Sequence, residues 1–536
     1  MEEPSVNYKY IQCEEGTSQY DNYDLNETNI VDAIYIPARM DIDKGNPYIE
    51  ALPNPRDDFS IRRAYTRELP GYSYDKVKNM SKLDKMLAVG TLRELRFPLP
   101  FNRELEFSLY NALLTSYRAR KQMKSDNSRI ELTIDNISKM TNLILSGDSS
   151  EATNAGFSLI GYSGCGKSSA ISNLVNYYPQ VIIHTDENGG YFPQITYLVV
   201  NCIPNSNFSA LYEGIGDAID KALNNITPIY SKAISRVNGL GKKAELVKEY
   251  VEKFGVGIII FDEIQFIDFE HTRENTFNSL LTLSNRTKVA IAVVGTEDAR
   301  DKMFQELRTS RRIGVMINGN LYCENKDYFK HLVKSLFRYQ WFDTPVEATN
   351  ELIDALYDVT KGIVDQLIAV YSCMHYDYLS KKKKPTVDAK YVRNVANKFY
   401  PGIQDVLANL ESTENTVKLH NIRQEAEIKI DALLDAAKQE TEMQKLINTD
   451  TSMEMIQLSN IVSIIRVLYD EYSDTQIETV YNKVIRKKSS QGKSEKEISR
   501  LVIEQLQKIP KRSNKKNKLE TPDMQHMRNF LGIKEN

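Results

Sequence analysis

Cysteine, histidine and long apolar runs are all scarce in this chain, and each scarcity excludes something. The five cysteines, Cys13, Cys165, Cys202, Cys323 and Cys373, are scattered with no C-x-x-C spacing. That argues against a zinc site and for a reducing, cytoplasmic setting. The six histidines are equally dispersed and suggest no metal cluster. No apolar run approaches the roughly 18 residues of a membrane helix, and no apolar region follows a basic start. Neither a membrane span nor a signal peptide is expected. Charge of one sign is lacking too: 69 basic against 72 acidic residues leave a net −3.

What is present is a long chain with opposite ends. At 536 residues it exceeds one core, and two to four domains are expected. Hydrophobic content of 41% and charged content of 26% fit a soluble globular protein. Residues 1–60 hold 13 acidic and 4 basic residues, whereas Arg486–Lys518 holds 12 basic and 3 acidic. Ends of opposite charge suggest different partners for each.

The most specific local signal is Gly161–Ser168, GYSGCGKS, which fits the phosphate-binding pattern G-x-x-x-x-G-K-[ST]. An apolar run, Gly156–Ile160, precedes it and reads as a buried strand. Ile171, Leu174, Val175 and Tyr178 follow at helical spacing. Glycines let backbone N–H groups curl around a phosphate, and the helix N-terminus adds partial positive charge. The expected cofactors are ATP and Mg²⁺. Gly161, Ser163, Gly164, Cys165, Gly166, Lys167, Ser168 and Ser169 form the expected nucleotide cradle, with Lys167 on the β/γ-phosphates and Ser168 on the metal.

A second apolar run, Ile258–Phe261, ends in Asp262 and Glu263, with Asp262 95 residues beyond Lys167. A carboxylate at a strand end can hold Mg²⁺ through water, and its neighbour can orient or deprotonate the attacking water. Asp262 is therefore the second metal-binding candidate and Glu263 the catalytic one. A further run from Val289 ends in Thr296, a hydroxyl suited to the space between γ-phosphate and water. The basic cluster Glu306–Arg312 offers guanidinium groups for γ-phosphate charge; Arg311 is the first choice, with Arg308 and Arg312 as alternates.

β-like runs at Phe157–Ile160, Ile195–Val200, Gly257–Phe261, Val289–Val294 and Val315–Ile317 alternate with helical segments. Continuous apolar strands fit a parallel α/β sheet covered on both faces. The expected division is an N-terminal, partner-binding region at 1–135, an α/β nucleotide-binding core at 136–325, a helical lid at 326–402, and a helical C-terminal region with a basic tail at 403–536.

Phosphate loop, Asp-Glu strand, Thr strand, arginine cluster and helical lid, in this order, resemble an AAA+ P-loop ATPase. Gly45–Pro53, Asp262–Gln265, Val294–Thr296, Leu307–Arg312 and Lys361–Asp365 are similar to the motifs of the TnsC family, ATP-dependent regulators of bacterial cut-and-paste transposition. That resemblance implies an ATPase whose ATP-bound form assembles head-to-tail on duplex DNA, as a ring or helical filament. It implies that the assembly couples a target-selection protein to the transposase subunits, with an arginine supplied in trans. It also implies DNA contacts between the second and third strands, where Lys232, Arg236, Lys242 and Lys243 lie; Lys242 and Lys243 are the chosen phosphate contacts. Many AAA+ lids carry a nucleotide-facing arginine after a glycine like Gly362, but Gly362–Asp365 has none. The alternative reading is another DNA-associated AAA+ ATPase, such as an origin-binding protein or helicase loader. A scaffold with vestigial hydrolysis is a third, and intact Lys167, Asp262 and Glu263 count against it.

Overall fold

The structure is a computed structural model. It describes residues 10–13, 17–25, 27–119, 156–185, 191–204, 207–267, 283–285, 287–297, 299–300, 314–407, 413–469, 472–486 and 493–508. The chain divides into two compact units, Met1–Leu433 and Leu434–Asn536.

Among its described residues the first unit has eight strands: β1 (Ile30–Asp32), β2 (Gly156–Ile160), β3 (Val181–Thr185), β4 (Tyr191–Ile195), β5 (Tyr197–Asn201), β6 (Ile258–Asp262), β7 (Ala290–Gly295) and β8 (Val315–Asn318). Five of them form one sheet in the order β5-β6-β7-β2-β8, and every pairing in it is parallel. Parallel pairing aligns the C-terminal ends of all five strands along one edge, where ligands of open α/β sheets sit. β2, which leads into the phosphate loop, lies between β7 and β8.

Side chains alternate across the sheet, as strand geometry requires. Ile258 and Ile260 of β6 join a core with helices Asn102–Arg118 and Lys167–Val175, including Leu105, Leu109, Leu113 and Leu174. Ile259 and Phe261 point the other way, into helices Phe208–Ala222 and Leu240–Lys253 through Ile215, Ile219, Val247 and Val251. All four strand residues are fully buried, and each burial contributes about 1.5–3 kcal/mol.

One sequence expectation changes here. The run Ile195–Val200 is not one strand. Ile195 closes β4, which pairs antiparallel with β3 in a separate sheet ordered β1-β3-β4, while Tyr197 opens β5. The chain changes sheets at Thr196, a break that continuous apolar character conceals. Helix Asn102–Arg118 packs on the sheet: its Tyr117 stacks on Tyr48 with centroids 5.1 Å apart, and the Tyr117 hydroxyl donates to Gly255 O at 3.1 Å. Tyr48 belongs to Gly45–Pro53, so that segment is packing material. Its Glu50, 2% exposed, accepts from the Gly45 N–H and the Tyr10 hydroxyl, each at 3.0 Å.

Beyond the sheet, helices Lys326–Leu336, Asn350–Thr360, Val364–Ser380 and Ala389–Phe399 form a bundle, with Leu356, Val359, Leu367, Val392 and Val395 buried. A long helix, Thr413–Leu468, follows. The second unit has its own core, in which Ile461 and Ile465 pack with Ile477 and Val480 of helix Asp474–Ile485 and Val502 of helix Glu495–Leu506. Among the described residues no helix is long and apolar enough to cross a membrane.

Candidate nucleotide-binding site

The phosphate loop turns on two glycines in the left-handed region, Gly164 at φ 86° and Gly166 at φ 90°. A side chain at either position would also crowd its neighbours. A Cβ on Gly166 would meet Leu99 Cδ1 at 2.9 Å, and one on Gly164 would meet Ile363 and Asp365 at 3.1 Å. Gly161 is constrained differently, since a Cβ there would meet Asn320 Oδ1 and Gly319 Cα at 2.9 Å.

Helix Lys167–Val175 begins directly after Gly166. Its first-turn N–H groups have no intrahelical acceptor, which makes this terminus suited to an anion. Ser168 and Ser169 are exposed in that turn, Ser163 and Gly164 are half-buried, and Cys165 and Lys167 are buried. The Lys167 ammonium donates to Gly161 O at 2.8 Å and Tyr162 O at 2.9 Å. Burial lowers its pKa, while Cys165, Glu263, Asp262 and Glu297 act to raise it. A buried cation wrapped by loop carbonyls and facing carboxylates is chemically fitted to nucleotide phosphate with a divalent cation.

The two carboxylates lie on the same edge. Asp262 ends β6, is 7% exposed, and accepts the Glu263 N–H at 2.9 Å. Glu263 takes φ 56°, a left-handed conformation costly for a non-glycine residue and commonly stored at functional sites. Its carboxylate accepts a hydrogen bond from the Gln265 side-chain amide, and Gln265 Oε1 accepts the Thr296 N–H at 3.3 Å. Thr296 follows β7 directly and is half-buried. Glu263 and Thr296, on neighbouring strands, are thus tied through one glutamine.

Two residues that sequence reading missed complete the edge. Gln265 is the bridge just described. Asn320, 3% exposed, accepts the Tyr162 N–H at 2.7 Å and donates to Glu297 Oε1 at 3.0 Å. Gln265 carries a weak signal, standing two residues after the Asp-Glu pair; Asn320 carries none, because its partners are 158 and 23 residues away. Arg308, Arg311 and Arg312 lie outside the described residues, as do 487–492 and 509–518 of the basic tail.

The two chosen DNA contacts part company. Lys242 is exposed in the first turn of helix Leu240–Lys253. Lys243 is 7% exposed, and its ammonium is bonded to Ser209 Oγ at 2.8 Å and Glu213 Oε1 at 2.5 Å. That charge is spent inside the fold, which argues against Lys243 as a phosphate contact. Lys232 and Arg236 are exposed beside Lys242 in sequence.

Residues 152–303 match the family model described as an AAA domain. No curated protein matches the chain. Among solved structures, Cdc6p from Pyrobaculum aerophilum is similar at 14% identity and a TM-score of 0.28, over 48% of this chain and 63% of that one, under two thirds of its length. The Aeropyrum pernix ORC1 protein, solved in complex with DNA, is similar at 11% identity and a TM-score of 0.29, over 79% of this chain and 87% of that one. AMPPCP-bound DnaA from Aquifex aeolicus is similar at 13% identity and a TM-score of 0.22, over 76% and 93%. The fold is that of an AAA+ P-loop ATPase, a parallel sheet flanked by helices and followed by helical regions.

Proposed function

We propose that this protein is an ATP-hydrolysing switch that assembles on duplex DNA in its ATP state and regulates transposition, coupling a target-selection protein to a transposase. The observation that carries the switch is the convergence, at one edge of one sheet, of the phosphate loop with Lys167, the Asp262–Glu263 pair and Thr296. The motif resemblance at Gly45–Pro53 and Lys361–Asp365 supports transposition in particular.

In this reading the loop residues 161–169 cradle the phosphates of ATP. Ser168 and Asp262 hold Mg²⁺, which neutralises phosphate charge. Glu263, oriented by Gln265, receives a proton from the attacking water or aligns it, and Thr296 lies beside it on the next strand. Arg311 of a neighbouring copy completes the site, so that assembly and ATP state report on each other. A contact of this kind is heterologous and yields a ring or an open filament according to its rotation. Lys242 tracks DNA phosphates without reading bases. The acidic N-terminal region and the basic tail face different partners.

Phosphate release by the purified protein, with and without duplex DNA, tests the switch, and strand transfer by the cognate transposase tests its purpose. ATP-dependent insertion that fails with Lys167→Ala supports the proposal. Turnover without any effect on insertion would favour an origin-binding or loader role instead.

A further inference from the structure

The lid touches the phosphate loop at Gly164, and a guanidinium from outside both is held there. The Asp365 N–H donates to Gly164 O at 3.1 Å. The Asp365 carboxylate pairs with Arg423 Nη1 at 2.7 Å. Arg423 belongs to the long helix Thr413–Leu468, beyond the lid helices in sequence. Its Nη2 lies 3.5 Å from where a Cβ on Gly164 would stand.

The hydrogen bonding of Arg423 is incomplete. A guanidinium carries five N–H donors in a planar fork. Among the described residues the bond to Asp365 is the short one; Nη2 reaches Gln366 Oε1 at 3.5 Å, and Nε is buried with no partner there. Gln366 is itself fully buried, with its Nε2 unpartnered among the described residues. The Arg423 side chain is only 25% exposed, whereas that of Asp365 is 57% exposed. Buried donors left unsatisfied cost free energy, and that cost is recovered when an acceptor arrives. Phosphate oxygens match the guanidinium fork and make charge-assisted bonds with it.

We infer that Arg423 is a phosphate-contacting residue of the nucleotide site, supplied by the long helix and held beside Gly164 by Asp365 until a nucleotide binds. The inference rests on the nucleotide-switch reading above. Asp365 is a positioning residue that competes with the phosphates for the same guanidinium. Competition gives the two side chains opposite effects: losing Arg423 removes a phosphate contact, and neutralising Asp365 frees it. A merely structural ion pair gives both losses the same sign. Exchange of Asp365 for phosphate also makes the hold on the long helix depend on nucleotide.

The test is equilibrium titration of the full-length protein with a fluorescent ATP analogue, comparing wild type, Arg423→Ala, Arg423→Lys, Asp365→Asn and Lys167→Ala, with thermal midpoints as a folding control. Arg423→Ala is expected to weaken binding about tenfold, the scale of one charged hydrogen bond. Arg423→Lys recovers part of that loss, and Asp365→Asn binds several-fold tighter than wild type. Two outcomes overturn the inference: Arg423→Ala binding like wild type while Lys167→Ala loses binding, or Arg423→Ala and Asp365→Asn weakening it together. A wild-type protein that binds no nucleotide would instead bring down the nucleotide reading itself, and this inference with it.

Discussion

Asn320 Oδ1 accepts the Tyr162 backbone N–H at 2.7 Å, fixing the start of the phosphate loop to the end of β8. The same side chain donates to Glu297 Oε1, one residue beyond Thr296. One buried amide therefore joins the loop to the strand ends on both sides of β2. Asn320→Ala leaves the Tyr162 N–H without its acceptor, at a cost of about 1–3 kcal/mol. Titration calorimetry is expected to show ATP-analogue affinity reduced at least several-fold; unchanged affinity would remove Asn320 from the site.

Glu263 and Thr296 are connected through Gln265, which separates orientation from chemistry. Glu263→Gln is expected to bind ATP normally and turn it over about 10²- to 10⁴-fold more slowly, the usual range for losing a general base. Gln265→Leu keeps the carboxylate but frees it, so kcat falls by less and binding is unchanged. Steady-state phosphate release gives both numbers. Wild-type turnover in Glu263→Gln would show that another group handles the water.

Lys242 and Lys243 are adjacent in sequence and opposite in environment. Lys242→Glu is expected to weaken duplex DNA binding in fluorescence anisotropy and leave the thermal midpoint within a degree or two. Lys243→Glu sets a buried carboxylate against the half-exposed Glu213 and removes the ammonium that both Ser209 and Glu213 bond. Its signature is a lowered thermal midpoint. Equal loss of DNA binding by two equally stable variants would contradict this division.

His184 and His375 give the fold an acid sensitivity of known sign. His184 is fully buried between Tyr35 and Gln194, and burial pushes its pKa down from 6.5 to about 4. His375, stacked on Phe342, is pushed down to about 3 by the same cause. Below pH 6.5 the unfolded chain takes up protons that the folded chain refuses. Stability is therefore complete above 6.5 and is lost as the pH falls towards those lower values. His184→Gln is expected to lose less stability than wild type between pH 7 and 5, by about 2 kcal/mol. Identical losses would show that His184 does not titrate in that window.

Sequence reading reached what is local. The loop Gly161–Ser168 and the pair Asp262–Glu263 are contiguous, so their geometry follows from spacing and strand ends. Helix Asn350–Thr360 is local too, since Leu352, Leu356 and Val359 recur at helical spacing. Contacts between distant segments stayed hidden. The sheet change at Thr196 needs knowledge of two partner strands. Lys243 looks like a solvated helix start until Ser209 and Glu213 are brought beside it. Arg423 meets the phosphate loop only because the long helix returns to it. Helix Asn102–Arg118 shows a core role only once Tyr48 and β6 are packed against it.

Electron microscopy of the purified protein on duplex DNA, with a non-hydrolysable ATP analogue against ADP, tests the central claim most directly. Rings or filaments on DNA with the analogue alone are the predicted result. Discrete particles in both states, or the same assemblies in both, would contradict an ATP-gated assembly.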